Sequence, residues 1–91
     1  MALYLVERHL PGITGEQLKA AAQRAKDTAA TMRQEGQQVR YLRSTFLPAE
    51  EKCFCLFDGA GVDTVKQANE RADLPFDRIH EAAHIASDDL A

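Results

Sequence analysis

Two strand-like runs, Val39-Arg-Tyr-Leu-Arg-Ser-Thr-Phe-Leu47 and Cys53-Phe-Cys-Leu-Phe-Asp58, lie on either side of the short link Pro48-Ala-Glu-Glu-Lys52. The first run is rich in β-branched and aromatic residues and is stopped by Pro48, and the second is apolar with two phenylalanines. A link this short joins neighbouring strands in antiparallel sense, because a parallel pair needs a crossover of a dozen residues or more. The centre of the chain is therefore an antiparallel hairpin, and the flanking segments must supply what covers it.

Upstream, residues 3–10 (LYLVERHL) read as a strand that turns polar toward its end and is stopped by Pro11-Gly12. Thr14 then offers an N-cap, with Gln17 as its capping-box partner. Leu18, Ala21, Ala22, Ala25, Ala29 and Met32 follow at helical spacing, and Gly36 closes the helix. Small side chains let a helix lie close on a sheet, so the alanine stripe reads as packing. Lys19, Arg24, Lys26 and Asp27 form its solvated face. Downstream, Gly59 and Gly61 break the chain before a second helix at about 62–73, with Val62, Val65, Ala68 and Ala72 inward and Leu74-Pro75 at its end. No phosphate loop is present, since Gly59-Ala-Gly61 has no accompanying lysine.

The order so far is β-α-β-β-α, and the last segment decides the fold. His80, Glu81 and His84 spell His-Glu-x-x-His, which on a helix builds a zinc peptidase site with Glu81 as general base. As a helix, the segment has Asp77 as N-cap and Ile79, Ala82, Ala83, Ala86 and Leu90 on one stripe, so local propensity favours that reading. A catalytic zinc, however, needs three protein ligands, and only seven residues follow His84. A terminal helix would also leave the apolar edge of the first strand unpaired. A fourth strand repairs that edge. It gives β-α-β-β-α-β, an α+β ferredoxin-like arrangement: a four-stranded antiparallel sheet with two helices on one face. We expect one domain over residues 1–86 and a short tail at 87–91.

The stretches VRYLRSTFLPAEEKCFCLFDG and ADLPFDRIHEAAHI resemble a family of small bacterial ferredoxin-like proteins, largely of unknown function, one branch of which is described as nickel-binding and nickel-responsive. The resemblance runs from Leu5 through Ile85. It implies that 77–85 is the fourth strand. On a strand, residues 80 and 84 stand roughly 13 Å apart at ~3.3 Å per residue, too far to share an ion. The family pattern has other residues around 80 and 84, so its metal site does not transfer directly to these histidines.

Antiparallel pairing of the last strand with the first would bring His9 near Arg78–His80. His9 and His80 are then the expected pair for a shared divalent ion, completed by Glu7, Glu81 or a second subunit, with His84 as a further candidate. Imidazole with carboxylate suits nickel, zinc or copper. The open face of the sheet is the other candidate. If odd positions point away from the helices, Glu7, Tyr41, Arg43 and Glu81 join Leu3, Leu5 and Ile79 there, on a surface two protomers could press together. Tyr41 and Arg43 would then contact a small ligand. The first reading is a homodimeric metal-binding protein with no catalysis assigned. The alternatives are a dimeric α/β-barrel enzyme or small-ligand carrier and, last, the minimal zinc peptidase.

At 91 residues the chain hides roughly 60–65% of its unfolded surface, so dimerisation is an expected aid to stability. A net charge of −3 with mixed signs argues against a nucleic-acid partner or a polybasic membrane surface. No apolar run approaches the ~20 residues of a membrane span. Glu7 and Arg8 come too early for a signal peptide, so a cytoplasmic address is expected. Cys53 and Cys55 then read as reduced, partly buried small groups, with a soft-metal or redox role as the alternative.

Overall fold

The computed structural model describes residues 2–90, with the order β1 (Ala2–His9), α1 (Gly15–Gln34), β2 (Val39–Leu47), β3 (Lys52–Gly59), α2 (Val62–Arg71), β4 (Arg78–Ala82) and a 3-10 turn at Ser87–Asp89. The four strands form one antiparallel sheet in the order β2-β3-β1-β4, which is the expected ferredoxin-like arrangement. Among the described residues no helix is long and apolar enough to cross a membrane.

Both helices cover one face. Val6 and Tyr4 of β1 and Cys53, Cys55 and Phe57 of β3 form a single buried cluster with Ala25, Ala29 and Met32 of α1 and Val65 and Ala68 of α2. Directly opposite residues on paired strands share a face. Val6↔Cys55 and Tyr4↔Phe57 therefore fix the helix-facing side, and Leu5↔Leu56 and Glu7↔Phe54 the open side.

Helix α1 starts as its sequence requires. Thr14 Oγ1 accepts from Gln17 N, and Gln17 Oε1 accepts from Thr14 N, a complete capping box. Arg24 is exposed as expected, and its Nε donates to Ala72 O at the end of α2. In α2, Val62 is exposed and Asn69 is buried in its stead. The helix ends at Arg71, and Asp73 (φ 57°) turns the chain toward Pro75.

The final segment is extended, and its pairing with β1 explains why. β1 pairs on both sides, with Leu3–Glu7 bonded to Ala82–Arg78 and Asp77 N donating to Glu7 O at 2.8 Å. Satisfying a row of backbone groups on an apolar edge outweighs the helical pattern of the isolated segment. With Arg78–Ala82 a strand, the helix that a His-Glu-x-x-His zinc site needs is absent, and the peptidase reading falls.

Candidate functional site

Two clusters of chemically capable side chains lie on opposite faces of the sheet. On the open face, His80 stands across from Leu5, two residues along β1 from Glu7, and its Nε2 lies 2.9 Å from Glu7 Oε1. Lys52 Nζ, from β3, is 3.8 Å from Glu7 Oε2. Glu7 is half-buried, whereas His80 and Lys52 are each more than 40% exposed, so the carboxylate sits inward and its partners reach solvent. The hydrogen bond from His80 holds the Glu7 carboxyl below the usual carboxylate range. Lys52 and Arg78 add attraction, and partial burial opposes it.

The other sequence candidates lie apart from this pair. His9 is exposed at the end of β1 opposite Lys52, two residues beyond the stretch that pairs with β4. Four residues separate it along β1 from the position facing His80, about 13 Å at ~3.3 Å per residue, so the expected His9–His80 pair does not form. Glu81 pairs with Tyr4 and thus lies on the helix-ward side of the edge strand, exposed, not on the open face. Ile79, opposite Val6, packs against the core. Among the described residues, no group of three or more His, Cys, Asp or Glu side chains is placed to hold a metal ion within one chain.

Tyr41 is also on the helix-facing side. Its ring meets Phe57 edge-on at 5.6 Å, and its hydroxyl lies 2.7 Å from Ser44 Oγ. The cause is a β-bulge: the register shifts between Tyr41↔Phe57 and Arg43↔Leu56, leaving Leu42 as an extra residue. Tyr41 and Arg43 are both odd-numbered, yet the bulge puts them on opposite faces. Arg43 remains on the open face as expected. It meets His84, with Nη2 2.9 Å from Nδ1. β4 and β2 are opposite edges of the sheet, so the chain after Ala82 must fold back across the open face to make this contact. The crossing covers Leu56, which is buried without belonging to the core cluster, and leaves a groove of about 240 Å³ beside Leu5, Phe54 and Thr45. A larger hollow of about 520 Å³ at the end of α1, between Arg33 and Arg40, carries no nucleophile and no metal ligand.

The second cluster lies behind the sheet. Arg8, 2% exposed, points into the core, where Nη2 donates to Asn69 Oδ1 at 2.7 Å and Nη1 to Pro75 O at 3.0 Å. Neither acceptor carries charge, and among the described residues no carboxylate pairs with this guanidinium. A buried ion costs several kcal/mol, of which charge-assisted hydrogen bonds return about 1.5–3 kcal/mol each. Beside it, Cys53 Sγ is 3.8 Å from Cys55 Sγ, and Ser44 Oγ is 3.0 Å from Cys55 Sγ. The bond from Cys53, the Arg8 charge and Ser44 draw the Cys55 thiol down to about 5 against the effect of burial, while Cys53 is pushed up. Burial also raises the Tyr41 phenol, with the Ser44 bond opposing. The sequence assigned no site role to Arg8, Asn69 or Ser44. The one available signal was an arginine at an even, core-facing position of an otherwise apolar strand.

The family described as "Nickel responsive protein SCO4226-like" matches residues 4–82, nearly the whole chain. The chain belongs to this family. No curated protein matches it significantly. Among solved structures, the crystal structure of SCO4226 from Streptomyces coelicolor A3(2) is similar, with a TM-score of 0.73 and 28% identity, covering 93% of this chain and 100% of that one. The SCO4226-like match spans β1 through β4, so both open-face partners, Glu7 and His80, lie within it.

Proposed function

We propose that this protein is a non-enzymatic homodimer that binds nickel or a similar divalent ion on its open sheet face, with Glu7 and His80 as the ligands each chain supplies. The observation that carries this reading is the convergence of Glu7 Oε1 and His80 Nε2 to 2.9 Å across neighbouring strands. A carboxylate oxygen and an imidazole nitrogen that meet in solvent reach are a donor pair that nickel, zinc and copper accept. Membership of a family described as nickel-responsive supports nickel among them. Two donors leave a coordination shell open, and the same pair from a second copy facing this surface would supply two more. Glu81, on the other side of β4, His9, at the far end of β1, and His84, held by Arg43, are left out of the ligand set.

The test is calorimetric titration of untagged, dialysed protein with nickel. Saturable binding should weaken at least about tenfold, a loss of ~1.4 kcal/mol, in both His80→Ala and Glu7→Ala. It should be unchanged in His9→Ala and His84→Ala. Absence of saturable binding at tens of micromolar nickel would sink the proposal.

The alternative of a small-ligand carrier draws on the open-face groove, but its volume of about 240 Å³ falls below the ~300–1,000 Å³ of ordinary ligand pockets. Tyr41, the residue expected to contact the ligand, faces the other way.

A further inference from the structure

We propose that Cys53 and Cys55 form a redox-active dithiol that hydrogen peroxide oxidises to an intrastrand disulfide, with the buried Arg8 guanidinium holding Cys55 in its reactive form. Alternate residues of a strand point to the same side, which brings the two sulfurs to 3.8 Å in the core. Arg8 is directly opposite Cys53 on β1 and has no carboxylate partner among the described residues. A thiolate at Cys55 is the anion that this cation lacks. The same positive charge disfavours a metal ion between the sulfurs, where only hydroxyls could complete the shell. The titratable and charged groups that face the pair are Arg8 from β1 and Tyr41 from β2; α2 contributes the neutral Asn69, held by Arg8.

The oxidant must be small, because Cys53 is 1% and Cys55 5% exposed. The Cys55 thiolate attacks one peroxide oxygen. The S–O bond forms, the O–O bond breaks, and the departing hydroxide takes up the proton that Cys55 had released, leaving as water. The Cys53 sulfur then attacks the resulting sulfenic acid. The S–S bond forms, the S–O bond breaks, and the leaving hydroxide carries off the Cys53 proton as a second water. Two thiols and one peroxide thus become one disulfide and two waters. Alternate residues of an extended strand sit roughly 6.6 Å apart at their Cα atoms, near the upper end of the ~4.4–6.8 Å disulfide range. The bond is therefore strained, and thiols reduce it once local opening or unfolding admits them. The dithiol lies across the sheet from Glu7 and His80, so it is independent of the metal reading.

Metal-free protein is treated with hydrogen peroxide, unfolded, alkylated with a maleimide and weighed intact. The expected species has lost two hydrogens, takes no alkyl group, remains uncrosslinked and regains both thiols with dithiothreitol. In Cys53→Ser, dimedone should trap a sulfenic acid at Cys55, and Cys55→Ser should leave Cys53 at least about tenfold slower to oxidise. Two fully alkylatable thiols after treatment, or a disulfide between chains only, would overturn the proposal. Arg8→Gln should slow oxidation by about tenfold. Should that variant not fold, the pH–rate profile of Cys55 oxidation in Cys53→Ala decides, because the bond from Cys53 is then gone and the Arg8 charge remains. A midpoint well below the ordinary thiol value of about 8.5 supports the role of Arg8, and a midpoint at that value refutes it.

Discussion

At Glu7 the carboxylate accepts from His80 and faces Lys52 and Arg78, so a proton binds there less readily in the folded chain than in the unfolded one. A carboxyl whose folded value is depressed contributes stability above its ordinary value, and that contribution fades as pH falls through the ordinary value toward the depressed one. Urea midpoints of wild type and Glu7→Gln should therefore differ most near neutrality and converge as pH drops below the ordinary 4.5. A gap that is constant across that range would mean that the Glu7 charge does not stabilise the fold. Across the sheet, Arg8 presents the opposite case, a charge that keeps its proton and has only neutral acceptors. Asn69→Leu removes the shorter of its two hydrogen bonds without enlarging the residue greatly. Urea unfolding should show a loss of about 2–3 kcal/mol at unchanged slope.

The elements divide into those whose signal is local and those whose signal is not. Thr14 and Gln17 announced α1 because a cap is made among residues three apart, and the Pro48–Lys52 link announced the hairpin for the same reason. The bulge at Leu42 had no such signature: VRYLRSTFL reads as an unbroken strand, and only its pairing with β3 shows that Tyr41 and Arg43 part company. β4 was written in helical periodicity and took its conformation from the edge of β1. The Glu7–His80 contact depended on that register and therefore could not be placed from spacing alone. Packing between elements obeys the same rule at Gly59, where a Cβ would come within 2.9 Å of Val65 Cγ2. Val65 is fully buried and β-branched, so it cannot swing away, and α2 itself would have to lift from β3. Gly59→Ala should cost about 1–3 kcal/mol. Adding Val65→Ala should recover part of that loss, so the double mutant is more stable than the sum of the single effects, as measured by a thermodynamic cycle. Strict additivity would show that the two residues do not meet.

For the whole molecule, the asymmetry of the sheet is what matters. One face carries both helices and the entire core cluster. The other carries only the returning C-terminal segment, with Leu5 and Phe54 half-buried beside a short groove. A chain of 91 residues gains little stability from a single core, and a second copy placed on the bare face would extend it. The same association would face one Glu7–His80 pair with another, so that two incomplete donor sets make one shell. Assembly and ion binding are then linked, and each favours the other. Placing a charge on the face away from the donor pair, with Thr45→Arg, should give a monomer by sedimentation velocity and abolish nickel binding with it, while circular dichroism is retained. Removing a proposed ligand, with Glu7→Ala, should weaken binding at least about tenfold yet leave the proposed dimer in place, because the apolar contact does not need the ion. A Thr45→Arg monomer that still bound nickel with wild-type affinity would show that one chain suffices, and the shared shell would have to be abandoned.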